Sequence, residues 1–152
     1  MSALDLLLEG NRRYGAAFDR GDLPVPPARR LAVVACMDAR LHVEPALGLE
    51  LGDVHVIRNA GGRVSDDAIR SLIISTRLLG TNAVAVIHHT DCGMQTFTNE
   101  DLRSRLRVEE GVDAWSIDFL PFADLDESVR EDVRRIRSSP YVARGVETRG
   151  FV

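Results

Sequence analysis

The chain contains no lysine: all 19 of its basic residues are arginine. That absence removes a P-loop lysine, Schiff-base catalysis and pyridoxal chemistry, each of which needs an ε-amino group. Positive charge is also outweighed, because 23 acidic residues bring the formal net charge to -4. With no basic footprint, neither nucleic acid nor an anionic membrane surface is expected as a partner, and the expected substrate is small. No apolar run is long enough to cross a bilayer. Leu4, Leu6, Leu7 and Leu8 come close together, but Asp5 and Glu9 interrupt them and no basic region precedes them, so they do not read as a secretory signal. Only two cysteines are present, and they form no Cys-x-x-Cys pair. Thiols without a signal peptide point to the reducing cytoplasm, where they serve metals or chemistry more often than disulfides. No internal repeat or low-complexity tract is found.

What is present is a chain of 152 residues with 45% hydrophobic content, enough for one core and one domain. Residues 1–27 read as an amino-terminal arm and proline-rich linker, and residues 28–152 as the core. Ala3 to Ala17 can form a helix with Leu4, Leu7, Leu8 and Tyr14 on one face, cut off by Pro24, Pro26 and Pro27. Such an arm packs back on its own domain or lies on a second subunit. Buried strands are expected at Leu31 to Ala35, Asp53 to Arg58 and Ala83 to Ile87, with a further strand beginning at Arg149. A short turning segment, Val43 to Leu51, separates the first two. Ser65 reads as the N-cap of a helix whose first turn holds Asp66 and Asp67 and which Gly80 stops. A surface helix is expected around Asp101 to Val108. Another, Leu125 to Arg137, has Leu125, Val129, Val133 and Ile136 on one face and a solvated run of arginines on the other. Alternating strands and helices predict an α/β fold: a mostly parallel central sheet, order about 2-1-3-4, flanked by helices. Ligands in such sheets bind beyond the carboxyl ends of the strands, where the strand order reverses.

Two short stretches follow the first and third strands, Cys36-Met37-Asp38-Ala39-Arg40 and His89-Thr90-Asp91-Cys92-Gly93. If those strands are neighbours, their polar groups meet at that reversal. Zinc takes thiolate and imidazole ligands tetrahedrally, and a catalytic site keeps a fourth position for water. Cys36, His89 and Cys92 offer three ligands. Read as extended chain, Cys36, Asp38 and Arg40 share one side. Asp38 then either closes the site as a fourth ligand or pairs with Arg40, whose fork can grip a carboxylate bidentately. In the second arrangement Asp38 can accept a hydrogen bond from zinc-bound hydroxide, a nucleophile for a small electrophile. A redox pair is the weaker alternative. His88 reads as a hydrogen-bonded neighbour of the site, and His42 and His55 as ordinary histidines. Arg58-Asn59-Ala60-Gly61-Gly62 departs from phosphate-loop spacing, and Asp66 and Asp67 would repel an anion, so a close backbone approach to the site is expected there.

Cys36-x-Asp38-x-Arg40, Arg58-Asn59-Ala60-Gly61 and His89-x-x-Cys92-Gly93, in that order, resemble the β-class carbonic anhydrases. The stretch His88-His89-Thr90-Asp91-Cys92-Gly93-Met94 is similar to a small bacterial branch found in mycobacteria. The resemblance implies a Zn2+ enzyme that reversibly hydrates CO2 to bicarbonate and a proton. In it Cys36, His89 and Cys92 are the zinc ligands and Asp38 with Arg40 the dyad beside the metal-bound water. It also implies a homodimer or higher homo-oligomer whose amino-terminal helix lies on the partner. Relatives of the fold hydrolyse CS2 or COS with the same ligands, and a closed, non-catalytic zinc or bicarbonate-sensing module is a third reading. Many members have glycine where this chain has His88 and Met94. The family usually continues past the last strand into a hairpin, whereas this chain stops at Val152, which is expected to weaken the sheet edge.

Overall fold

The computed structural model describes residues 2–152. Its elements are α1 (Ala3–Ala17), β1 (Leu31–Cys36), α2 (Val43–Ala46), β2 (Val54–Asn59), α3 (Asp66–Arg77), β3 (Ala83–Ile87), α4 (Asn99–Glu110), α5 (Leu125–Ser138) and β4 (Glu147–Phe151). Single 3-10 turns occupy Ala60–Gly62 and Gly93–Gln95. The strands form one sheet in the order β2-β1-β3-β4. Every pairing in it is parallel, so the expected order is observed and "mostly parallel" becomes wholly parallel among the described residues.

The central strand β1 is buried from Ala32 to Cys36, which is why it reads as a continuous apolar run and not as an alternating one. β4 begins at Glu147, ahead of the expected Arg149. Glu147 and Thr148 carry no apolar signal, and pairing with Ala83 and Val84 of β3 recruits them. α3 starts as its sequence announces, with the Ser65 hydroxyl accepting from the Ala68 amide at 3.3 Å. α4 starts at Asn99, earlier than expected, because Thr98 and Asp101 form a reciprocal capping box. The segment after β1 yields only the single turn of α2.

Two faces of the sheet are covered unequally. On one, Ala32, Val34, Val84 and Val86 meet Leu72 of α3 and Val129, Val133 and Ile136 of α5. Gly150 lets α5 rest directly on β4, since a Cβ there would run into Val129. On the other face, Val33, Ala35 and Val43 pack with Leu31, Val54, Val56 and Ile87. Beside them lies an apolar cavity of about 510 Å³, lined by Leu31, Leu47, Leu49, Ala85, Ile87 and Phe151 among others. The arm helix α1 has no buried residue, and Leu4, Leu7, Leu8 and Tyr14 are all exposed. Of the two placements left open for the arm, packing back on its own domain is not observed.

Gly62 holds the turn after β2 against the ends of β1 and β3. At φ 66°, its missing Cβ would lie 2.8 Å from Ala35 C and Cys36 N and 3.0 Å from Ile87 O. Gly48 has a similar φ of 65° but nothing within 4 Å. Gly48→Ala is therefore expected to cost only the left-handed backbone penalty, about 1–2 kcal/mol. Gly62→Ala adds backbone overlap and is expected to cost about 2–4 kcal/mol. Urea unfolding of the two variants checks this, and equal losses would remove close packing as the reason for Gly62.

Candidate metal centre

The parallel register decides which groups meet. Ala35 of β1 lies opposite Ile87 of β3, so the strands end side by side and release Cys36 and His89 at one edge. That edge is the carboxyl end of the sheet at the point where strand order reverses. After His89, Asp91 takes a left-handed conformation with φ 56° and turns the chain back, bringing Cys92 to the same point. One ligand atom each from Cys36, His89 and Cys92 lie within 4.8 Å of one another. Cys36 and Cys92 are buried, and His89 is partly so.

Three observations fit this donor set to a thiophilic divalent cation. The two sulfurs are 3.9 Å apart. A disulfide needs about 2.05 Å, whereas two thiolates held tetrahedrally at about 2.3 Å from zinc are about 3.8 Å apart. His89 Nδ1 lies 2.8 Å from the Thr90 carbonyl oxygen, which can only accept, so Nδ1 carries a proton and Nε2 is the ring nitrogen left to face a metal. That Nε2 is buried without a hydrogen-bond partner. Burial pushes the Cys92 thiol up, partly offset by the Met94 amide, and the neighbouring Cys36 pushes it further. Two adjacent buried thiolates call for a cation between them.

Asp38 and Arg40 are placed by a turn rather than by extended chain, which corrects the expected side-by-side projection of Cys36, Asp38 and Arg40. β1 ends at Cys36, and the Leu41 amide donates to the Asp38 carbonyl at 3.0 Å. The turn folds Arg40 onto its neighbour's carboxylate. Asp38 Oδ1 accepts from the Arg40 amide at 2.8 Å and from Nε at 3.0 Å, and Oδ2 accepts from Nη2 at 2.7 Å. These bonds hold the Asp38 carboxyl well below the usual carboxylate range. Asp38 Oδ2 remains 3.7 Å from His89 Nε2.

Two further residues shape this loop and were not singled out from the sequence. Asp91 grips the far side of Arg40, with Nη1 donating to Oδ2 at 2.9 Å and Nη2 to the backbone carbonyl at 3.0 Å. Arg58 of β2 donates to the carbonyls of Cys36 at 2.9 Å and Asp38 at 2.7 Å, bracing the chain between them. The placement of Arg58 in the Arg58-Asn59-Ala60-Gly61 motif was the available signal; nothing in the sequence singled out Asp91 beyond its position between two ligand candidates. His88 is fully buried and hydrogen-bonded, as expected. His55 bonds Ser75 Oγ at 2.8 Å away from the site, and His42 precedes α2 without a capping bond. Leu41, Ala60, Met94, Phe97 and Phe122 pack around the two cysteines as an apolar wall.

Comparisons with known proteins point to one family. The carbonic anhydrase family profile matches residues 31–151. β-carbonic anhydrase 1 of Mycobacterium tuberculosis is 48% identical over 153 aligned positions, covering 100% of this chain and 92% of that protein. A carbonic anhydrase structure from Streptococcus mutans superposes with a TM-score of 0.94 at 51% identity, over 99% of this chain and 90% of that one. A carbon disulfide hydrolase of Acidithiobacillus thiooxidans is 33% identical, covering 95% of this chain and 80% of that protein. Strand order, the clustered thiols and imidazole, and similarity along the whole chain lead to one assignment: the chain belongs to the β-class carbonic anhydrase family of enzymes.

Proposed function

We propose that the chain carries out zinc-dependent, reversible hydration of carbon dioxide to bicarbonate and a proton. The observation that supports this most directly is the bidentate grip of Arg40 on Asp38. It engages the carboxylate that would otherwise be free to complete a four-ligand protein site, leaving Cys36, His89 and Cys92 to hold the metal with a position open for water. Zinc bound there supplies a Lewis acid that makes water a nucleophile near neutral pH.

The remaining work falls to side chains. Asp38, held ionised by Arg40, is too weak a base to carry a proton away at neutral pH, but it is a fixed acceptor that can orient the attacking water. Arg40, tied on its other side to Asp91, keeps that acceptor from swinging. The apolar wall of Leu41, Ala60, Met94, Phe97 and Phe122 suits an uncharged, apolar molecule and favours release of a charged product.

A carbon disulfide or carbonyl sulfide hydrolase with the same ligands is the second reading, supported by the 33% identical hydrolase. The closed, non-catalytic module has the Asp38–Arg40 pairing against it. For assembly, we take residues 28–152 as the zinc domain and residues 1–27 as an arm that lies on a second copy. The exposed Leu4, Leu7, Leu8 and Tyr14 support a homodimer, as does the apolar cavity left on the other sheet face. Two free thiols suit a reducing, cytoplasmic setting, and no helix among the described residues is long and apolar enough to cross a membrane.

Asp38→Asn should retain stoichiometric zinc yet lose roughly 100-fold in CO2 hydration, read by stopped-flow with a pH indicator. Unchanged activity would take Asp38 out of the mechanism. The same protein given CS2 or COS should release no sulfide at a comparable rate; fast sulfide release would move the assignment to the hydrolase reading. Deleting residues 1–27 should convert a dimer to a monomer in sedimentation velocity, and a dimer that survives the deletion would place the interface elsewhere.

A further inference from the structure

Behind the metal centre lies a buried polar cluster that the proposed chemistry does not use. His88, next to His89, has no exposed side-chain surface, and Asp132 of α5 has 3%. Arg63, just past the 3-10 turn, has 7%. His88 Nε2 donates to the Gly62 carbonyl at 3.2 Å, and Asp132 Oδ2 sits 3.2 Å from the same nitrogen without completing a hydrogen bond. Both neighbours can only accept, so Nε2 carries a proton. His88 Nδ1 lies 2.8 Å from Ser128 Oγ. Arg63 Nε approaches Asp132 Oδ2 at 3.0 Å, off the hydrogen-bond axis, so this contact is an ion pair, and its Nη2 donates to Glu131 at 2.6 Å.

Ser128 and Asp132 are four residues apart on α5, so one helix face presents a hydroxyl and a carboxylate to the two ring nitrogens. The His88 ring also stacks on Phe122, with centroids 5.4 Å apart and planes at 20°, while the Arg63 guanidinium lies over the same ring at 5.5 Å. Phe122 in turn packs against the cluster of Cys36, Cys92 and Met94. Gly62, whose carbonyl His88 holds, presses on the backbone of Ala35 and Cys36. From this one ring, contacts therefore lead towards the donor residues: through the chain to His89, through Gly62 to Cys36, and through Phe122, whose amide donates to the Met94 carbonyl at 3.2 Å, to the apolar cluster that holds both cysteines.

We propose that His88 is a positioning residue for the metal centre: clamped by Ser128, Asp132 and the Gly62 carbonyl, it fixes the end of β3 so that His89 meets Cys36 and Cys92. α5 thereby becomes part of the metal site although it supplies no ligand. A burial role alone would not call for this arrangement, because a buried charged pair is no more stabilising than apolar residues of the same volume. The cluster holds direction instead, as outer contacts to metal-binding histidines do. This inference rests on reading Cys36, His89 and Cys92 as metal ligands.

Asp132→Asn keeps the side-chain shape but removes the charge that faces both His88 and Arg63. It is expected to weaken zinc binding about tenfold in a chelator competition and to shift the visible ligand-field bands of the cobalt-loaded protein. Ser128→Ala, a milder change to the same clamp, should move both readouts in the same direction, and it decides the matter if Asp132→Asn does not fold. Val133→Ala is the control: it truncates the same helix over Gly150, lowers the melting temperature, and should leave zinc affinity and cobalt bands unmoved. The proposal is overturned if the clamp variants match wild type in both readouts, or if Val133→Ala shifts them equally. Wild-type protein that binds no stoichiometric metal would overturn the ligand reading and this inference together.

Discussion

The parallel pairing of β1 with β3 is the constraint on which the rest depends. Leu31 to Ala35 match Ala83 to Ile87 one for one, and both strands end at the same level. A slip of one residue would turn the side chains of β3 to the opposite face, burying Ile87 where Val86 belongs and directing His89 away from Cys36. Burial of Val84 and Val86 under α3 and α5 holds the register, so the hydrophobic core sets the geometry of a site built entirely from polar and sulfur atoms.

Around that edge the charges are arranged in opposition. Arg40 lies between Asp38 and Asp91, with the His89 imidazole and two thiols beside them. Without a cation, burial and the second sulfur push the Cys92 thiol towards its neutral form, whereas a divalent ion would favour both thiolates. Binding a metal and ionising these groups are thus coupled. Asp38 does not share in that exchange, because its charge is already committed to Arg40.

The unequal covering of the sheet has a different consequence. One face is closed by helices from the same chain, and the other keeps an apolar cavity near the carboxyl end of β4 while the arm helix stands unburied. Exposed apolar area of this kind is the feature on which the proposed pairing with a second copy rests. Both surfaces occur in the same chain, as the proposed symmetric pair requires.

Much of this was legible in the sequence. Apolar runs marked β1 to β3, the Ser65 cap and the 3.6-residue period marked α3, the same period marked α5, and the residue types at Cys36, His89 and Cys92 pointed to zinc, because two thiols and an imidazole suit that ion. Local signals failed where a neighbour decided the outcome. The start of β4 at Glu147 comes from pairing with β3, and the turn that folds Arg40 back on Asp38 comes from competition between strand and side-chain hydrogen bonds. Ser128 and Asp132 looked like ordinary polar positions on a helix; only tertiary packing buries them against His88. Residue chemistry and spacing are written along the chain, so the sequence by itself determined the kind of site. Which groups meet, and which carboxylate is already occupied when they do, depends on contacts between residues far apart in sequence, and the tertiary structure alone decided that.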